Sequence, residues 1–217
     1  MKTLFTLVIV LFTTLQIFAQ VPPSAQVTNV TIDGSGCDAS NATAIMTQDL
    51  NYLSVLYDRF SAQIGRGTEN PNDKSMEKRC TILVDINVPR GWTFDVDSIE
   101  YRGYVEIPNK LAVAYQLATA EISGGKGVGF EQNIFQGPKT QNYSLLIKNK
   151  SLLGNVGSTL STLSCLSSGQ NIRIKIKSVI GVRNLLAQIF KPAVKIVVDS
   201  TDASFRQNLK FTWRRCQ

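Results

Sequence analysis

Residues 81–101 read TILVDINVPRGWTFDVDSIEY, and the alternation inside this stretch decides the fold class. Ile82, Val84, Ile86 and Val88 fall on one side of an extended chain, with Thr81, Leu83, Asp85 and Asn87 on the other. Successive side chains of a strand point to opposite faces, so a period of two marks a strand with one buried face. After the Pro-Arg-Gly break, Trp92, Phe94 and Val96 alternate with Thr93, Asp95 and Asp97. Further on, NIRIKIKSV (171–179) sets Ile172, Ile174 and Ile176 against Arg173, Lys175 and Lys177. VKIVVD (194–199) and LKFTW (209–213) repeat the pattern. Half-buried strands separated by Gly, Pro and Asn turns predict an all-β fold, an antiparallel β-sandwich. Jelly-roll and Ig-like connections are both compatible with it.

Two stretches resist this reading. In LNYLSVLYDRFSAQI (50–64), Leu53, Leu56, Tyr57, Phe60 and Ile64 have helical spacing, yet Leu53, Val55 and Tyr57 alternate. The pattern leaves helix and strand open. VRNLLAQIFKP (182–192) reads as a short helix or loop ended by Pro192. The Gly-rich SGGKGVGFE (123–131) reads as a hairpin connection, since it lacks the Lys-Ser/Thr ending of a phosphate-binding loop.

The first residues, MKTLFTLVIVLFTTLQIFAQ, carry one lysine, then an apolar run, then a small residue at Ala19. This predicts a secretory signal peptide over residues 1–19, with cleavage after Gln20 as the alternative. The run is too short for a membrane span and is interrupted by Thr13, Thr14 and Gln16. Residues 20–217 are then expected to form a single domain, secreted or periplasmic and not membrane-spanning. In that compartment an even cysteine count reads as disulfides, and Cys37, Cys80, Cys165 and Cys216 allow three connectivities. Sequential pairing, Cys37–Cys80 and Cys165–Cys216, closes loops worth about 4 kcal/mol each and is the arrangement expected if each pair brackets its own strands. It would staple a terminal strand by a cysteine one residue from the end. A metal site is disfavoured, because the chain has no histidine and no Cys-x-x-Cys.

Without histidine, Ser–His and Cys–His nucleophile systems are excluded within one chain. Carboxylate pairs remain. Asp95 and Asp97 fall on one strand face about 7 Å apart, near Glu100, and are candidates for glycan hydrolysis, although the pattern has little specificity because outward carboxylates on exposed strands are ordinary. The formal net charge is +7, unevenly spread: 8 basic and 13 acidic residues from Gln20 to Gly125, then 14 basic and 3 acidic from Lys126 onward. Arg173, Lys175 and Lys177 form a same-face row suited to an anionic polysaccharide or cell-surface component. Alternatively, they are charges guarding an edge strand against pairing. The row has no interleaved aromatics, which argues against nucleic acid. No cofactor is implied. Asn29, Asn41, Asn142 and Asn149 head N-x-Ser/Thr sequons.

Four stretches together carry a family resemblance: VTIDGSGC (30–37), EKRCTILVDINVPRGWTFDVDSIEYRGYVEI (77–107), FQGPKTQNYSL (135–145) and DSTDASFRQNLKFTWRRC (199–216). The mature chain resembles the domain of unknown function 4360 family, small secreted proteins of bacteria and fungi. The resemblance implies an all-β fold, favours a strand at Leu53–Phe60, and marks the four cysteines as disulfide partners. It implies no activity. The chain departs from the family pattern at DASNAT after Cys37 and in a longer connection over Ile180–Lys191. Trp92 and Trp213 are expected as core plugs. Gly103 is expected to mark a bulge or close backbone approach. Arg102 is expected to pair with Glu100 or Asp97. The function expected from all this is an exported non-catalytic binding module. The alternatives are a carboxylate-dependent glycan hydrolase and an inhibitor of a secreted enzyme.

Overall fold

The computed structural model describes residues 22, 24–123, 128–148, 169–185, 192–198 and 207–216. Among them the chain forms strands β1 (Gln26–Asp33), β2 (Ala42–Met46), β3 (Tyr52–Tyr57), β4 (Ser61–Ile64), β5 (Ser75–Val88) and β6 (Trp92–Ile107). These are followed by β7 (Ala112–Ile122), β8 (Val128–Gln136), β9 (Lys139–Lys148), β10 (Gln170–Asn184), β11 (Val194–Val197) and β12 (Gln207–Arg215). No helix among the described residues is long and apolar enough to cross a membrane.

The strands build two antiparallel sheets packed as a sandwich. One has five strands in the order β1-β5-β10-β7-β8. The other has seven and is organised around β6. One edge of β6 pairs with β12 over Trp92–Tyr101 and with β11 over Tyr104–Glu106, while β9 pairs with Ser98–Ile107 on the opposite edge. β3 and β2 extend outward from β12, and β4 from β11.

The period-two pattern is realised as expected in β5, where Cys80, Ile82, Val84, Ile86 and Val88 are buried. β6 buries Phe94 and Val96, then Ile99, Tyr101, Val105 and Ile107, so its inward parity changes from even to odd. The cause is a bulge: Lys210 pairs with Ser98 but Phe211 pairs with Val96, leaving Asp97 as an extra residue. Trp92 packs only partly against the core. Thr93, expected to face outward, is buried where its register partner Arg214 reaches toward Asp95.

The 50–64 stretch is extended. Leu53, Val55 and Tyr57 alternate inward in β3, and Phe60, Ala62 and Ile64 follow around β4. The helical spacing there is incidental. Ile180–Asn184 is the end of β10, which corrects the expectation of a helix or loop from Ile180, and residues 186–191 lie outside the described residues. β7 and β8 pair antiparallel on either side of SGGKGVGFE, and residues 124–127 of that stretch lie outside the described residues.

Trp213 is a core residue. Its ring lies 5.1 Å from Phe94, which meets Phe211 edge-on at 5.6 Å, and its Nε1 donates to the Leu50 carbonyl at 3.0 Å. A polar seam also crosses the interior. Tyr57 Oη donates to Gln207 Oε1 at 2.6 Å, and Gln116 Nε2 donates to Ser178 Oγ at 3.4 Å. Burial pushes the Tyr57 and Tyr101 hydroxyls well above the usual tyrosine range.

Cys37 and Cys80 are disulfide-bonded with Cα atoms 5.3 Å apart, as expected, so the bridge ties the loop after β1 to β5. Cys216 is not free, and its backbone N–H donates to the Gly91 carbonyl at 2.8 Å, tying the end of β12 to the β5–β6 turn. Cys165 lies outside the described residues.

Candidate binding surfaces

β10 lies between β5 and β7, so Arg173, Lys175 and Lys177 stand in the middle of the five-stranded sheet. This corrects the edge-guard reading, because a strand hydrogen-bonded on both sides has no edge to protect. The three residues do share the outward face, opposite buried Ile172, Ile174 and Ile176. Their environments differ. Arg173 donates through Nε and Nη2 to Asp85 Oδ1 and Oδ2 at 2.7 and 2.8 Å, a bidentate pair across β10–β5. This hydrogen bonding holds the Asp85 carboxyl below the usual carboxylate range and raises the arginine. Lys175 is flanked in register by Leu83 and Glu121, and Lys177 by Thr81 and Thr119. Neither lysine enters an ion pair among the described residues.

Farther along this face Gly181 leaves room for Tyr115 to lie across β10. A Cβ built on that glycine would meet the ring tip at 2.3 Å. Tyr115 Oη reaches over to donate to Glu77 Oε2 on β5 at 2.7 Å. Burial, with the carboxylate beside it, pushes the phenol up to about 12, while this hydrogen bond and Arg79 hold Glu77 low.

The acidic candidates occupy the outer face of the seven-stranded sheet, and each already has a partner. Asp95 Oδ2 holds Arg214 at 2.9 Å. Asp97, the bulge residue, accepts from Thr212 Oγ1 at 2.6 Å and has Lys210 Nζ at 3.6 Å. Glu100 receives Arg102 through two nitrogens at 2.9 and 3.2 Å, with Ser144 Oγ at 3.3 Å, so Arg102 takes the partner expected of it. A carboxylate committed to a guanidinium is poorly placed to protonate a leaving group. The three lie in rows of ion pairs on an open sheet face.

A third surface is concave. The β3–β4 turn, β4, the loop leading to β5 and the start of β5 enclose a cleft of about 580 Å³, lined among others by Asp58, Arg59, Gln63, Glu69, Asn70 and Lys78. The turn is pinned by the Asp58 N–H donating to the Asn41 carbonyl at 2.9 Å, and the loop by Gly65 N–H donating to the Asn70 carbonyl at 3.1 Å. Lys78 stands two residues from disulfide-bonded Cys80.

Residues 23–216 match a family model described as Domain of unknown function (DUF4360). The chain belongs to the DUF4360 family. A similar protein is an "Uncharacterized secreted protein" of Arthroderma benhamiae, 25% identical over 195 residues, covering 90% of this chain and 73% of that one. Among solved structures, TmCBM61 in complex with beta-1,4-galactotriose aligns with a TM-score of 0.27 at 9% identity, covering 87% of this chain and 89% of that one. A structure described as explaining the promiscuous specificity of carbohydrate-binding modules of the beta-sandwich super family aligns with a TM-score of 0.24, also at 9% identity. It covers 86% of this chain and 57% of that one.

In this DUF4360 chain the basic row and the carboxylate row were legible in the alternation as outward side chains, whereas the cleft was not. Asp58, Glu69 and Lys78 sit in three separate segments, and no periodicity brings them together. The available signal was compositional: charged and amide side chains cluster in the turns that flank the short strand β4.

Proposed function

We propose that this DUF4360 protein is exported after removal of residues 1–19 and acts outside the cytoplasm as a non-catalytic binding module. Its anion-facing surface is the outer face of the five-stranded sheet. The observation carrying this reading is the position of Arg173, Lys175 and Lys177. They stand on a strand paired along both edges, where protection against edge pairing gives no reason for a cationic row. Neither lysine enters an ion pair among the described residues, although Lys175 has Glu121 beside it in register, and both stand on a rigid frame that suits the repeating charges of an anionic surface polymer. The secreted character of the Arthroderma relative supports the location. The pairing of Asp95, Asp97 and Glu100 with cations supports binding over hydrolysis.

Heparin and lipopolysaccharide columns test it. Retention of the mature protein is expected to fall steeply between about 50 and 200 mM salt, as screening shortens the reach of exposed charges. Glutamate at Lys175 and Lys177 should abolish retention and leave the melting temperature within a few degrees, because outward side chains contribute little packing. Salt-insensitive retention, or equal retention of both proteins, would sink the reading. Release of reducing ends from the same polymers would move it to hydrolysis.

The same proposal includes a Cys165–Cys216 bridge. Peptide mapping without reductant is expected to recover Cys165 and Cys216 in one linked fragment, and a free thiol at either position would refute it.

A further inference from the structure

The cleft beside the Cys37–Cys80 bridge brings four charged side chains, unpaired among the described residues, into one concavity. On the two sheets, five acidic side chains are held by arginine or lysine: Glu77 by Arg79, Asp85 by Arg173, Asp95 by Arg214, Asp97 by Lys210 and Glu100 by Arg102. In the cleft, Asp58, Glu69, Arg59 and Lys78 line one concavity, yet none of them makes a side-chain hydrogen bond or ion pair among the described residues. The amide of Asn70 is committed only weakly, through Nδ2 to the Gln63 carbonyl at 3.5 Å and to Met76 Sδ at 3.7 Å, and the Gln63 side-chain amide makes no hydrogen bond among the described residues. A small concave space thus gathers uncommitted acceptors, uncommitted donors and amides that can act as either.

From this we infer that the cleft is a second binding site, for a segment of an uncharged, hydroxyl-rich glycan. Size, charge and chemistry each narrow the choice. About 580 Å³ lies within the roughly 300–1,000 Å³ range of small-ligand sites. Two carboxylates and two cations balance, so the cleft does not attract a polyanion as the β10 row would. The polar lining offers little to an apolar ligand. No group of three or more metal-ligating side chains occurs among the described residues. A sugar hydroxyl both donates and accepts, so Asp58 and Glu69 receive its protons while Arg59 and Lys78 donate to its oxygens. The pinned turns fix the backbone that carries these side chains, which lowers the part of the ordering cost that falls on the loops.

The site is independent of the basic row, and the test keeps the two apart. Mature protein is titrated calorimetrically with neutral tetrasaccharides built from glucose, xylose, mannose or N-acetylglucosamine, and with a zwitterionic dipeptide as the competing chemistry. We expect at least one tetrasaccharide to bind with an affinity unchanged between about 50 and 500 mM salt, because no charge on the ligand is screened. The Asp58→Asn/Glu69→Gln double variant should weaken that binding about tenfold or more, as lost hydrogen bonds to charged groups do. Arg59→Gln serves as a second variant if the first is unstable. The Lys175→Glu/Lys177→Glu variant should bind the sugar like wild type. Binding of no neutral sugar, binding indifferent to the cleft variants, or binding of the dipeptide alone would each overturn the assignment.

Discussion

Replacing Cys37 and Cys80 together by alanine is expected to lower the unfolding free energy by about 4 kcal/mol, the loop-closure value for the 43 residues that separate them. The bridge does more than shorten the unfolded chain's reach. Residues 34–37 cross onto β5 through few other ties: Gly36 N–H donates to the Arg79 carbonyl at 2.9 Å, and the Arg79 N–H donates to Ser35 Oγ at 3.0 Å. Both cysteines are buried, so the double variant also leaves space where two sulfurs packed. Urea unfolding of wild type and the double variant, followed by tryptophan fluorescence, measures the difference. A loss below about 1 kcal/mol would show that the loop is held without the bridge.

Gly103→Ala is the second large effect, a loss of about 3 kcal/mol or failure to accumulate as folded protein. A Cβ at this position would stand 2.3 Å from the Val197 carbonyl oxygen and 2.6 Å from the Tyr143 ring. The carbonyl is the decisive obstacle, because it belongs to β11, which is hydrogen-bonded to β4 and β6 and cannot withdraw alone. Gly181→Ala is the control. Its Cβ would meet the Tyr115 ring tip on an outer face, and that side chain can swing out at the cost of its bond to Glu77. Thermal melts should therefore separate the two alanines clearly, Gly103 far below Gly181. Equal losses would mean that the backbone around Gly103 yields as readily as a side chain does.

Gly103 also illustrates what was legible in the sequence. A glycine inside YRGY announced a close approach, but the group approached, Val197, lies 94 residues away and only the tertiary fold names it. The same holds for β6. The alternation of Trp92, Phe94 and Val96 sufficed to mark a strand, but it did not extend to the change of inward parity between Val96 and Ile99. Its cause, an extra Asp97 opposite the Lys210–Phe211 step, depends on which strand becomes the neighbour. The edge assignment of the basic row failed for that reason: alternation reports two faces of a strand and is silent about its two edges. In 50–64, helical and alternating apolar sets coexist, and backbone pairing of β3 with β12 and β2 resolves them in favour of the strand. The cleft was the least legible surface, since its side chains converge from turns whose course follows from the strands around them.

The division of one β6 edge between β12 and β11 has a consequence for solubility. An ordinary open sheet has two rims, whereas a forked one has three, and among the described residues they are β2, β4 and β9. Each rim offers backbone donors and acceptors to any stray strand. Two are kept harmless by brevity, at 5 and 4 residues. The third, β9, runs for 10 residues and carries Lys139 and Lys148 at its ends. Crowded or overexpressed protein would be expected to stick to itself along that longest rim, so a charge placed mid-way on β9 is where an engineer seeking higher working concentrations should begin.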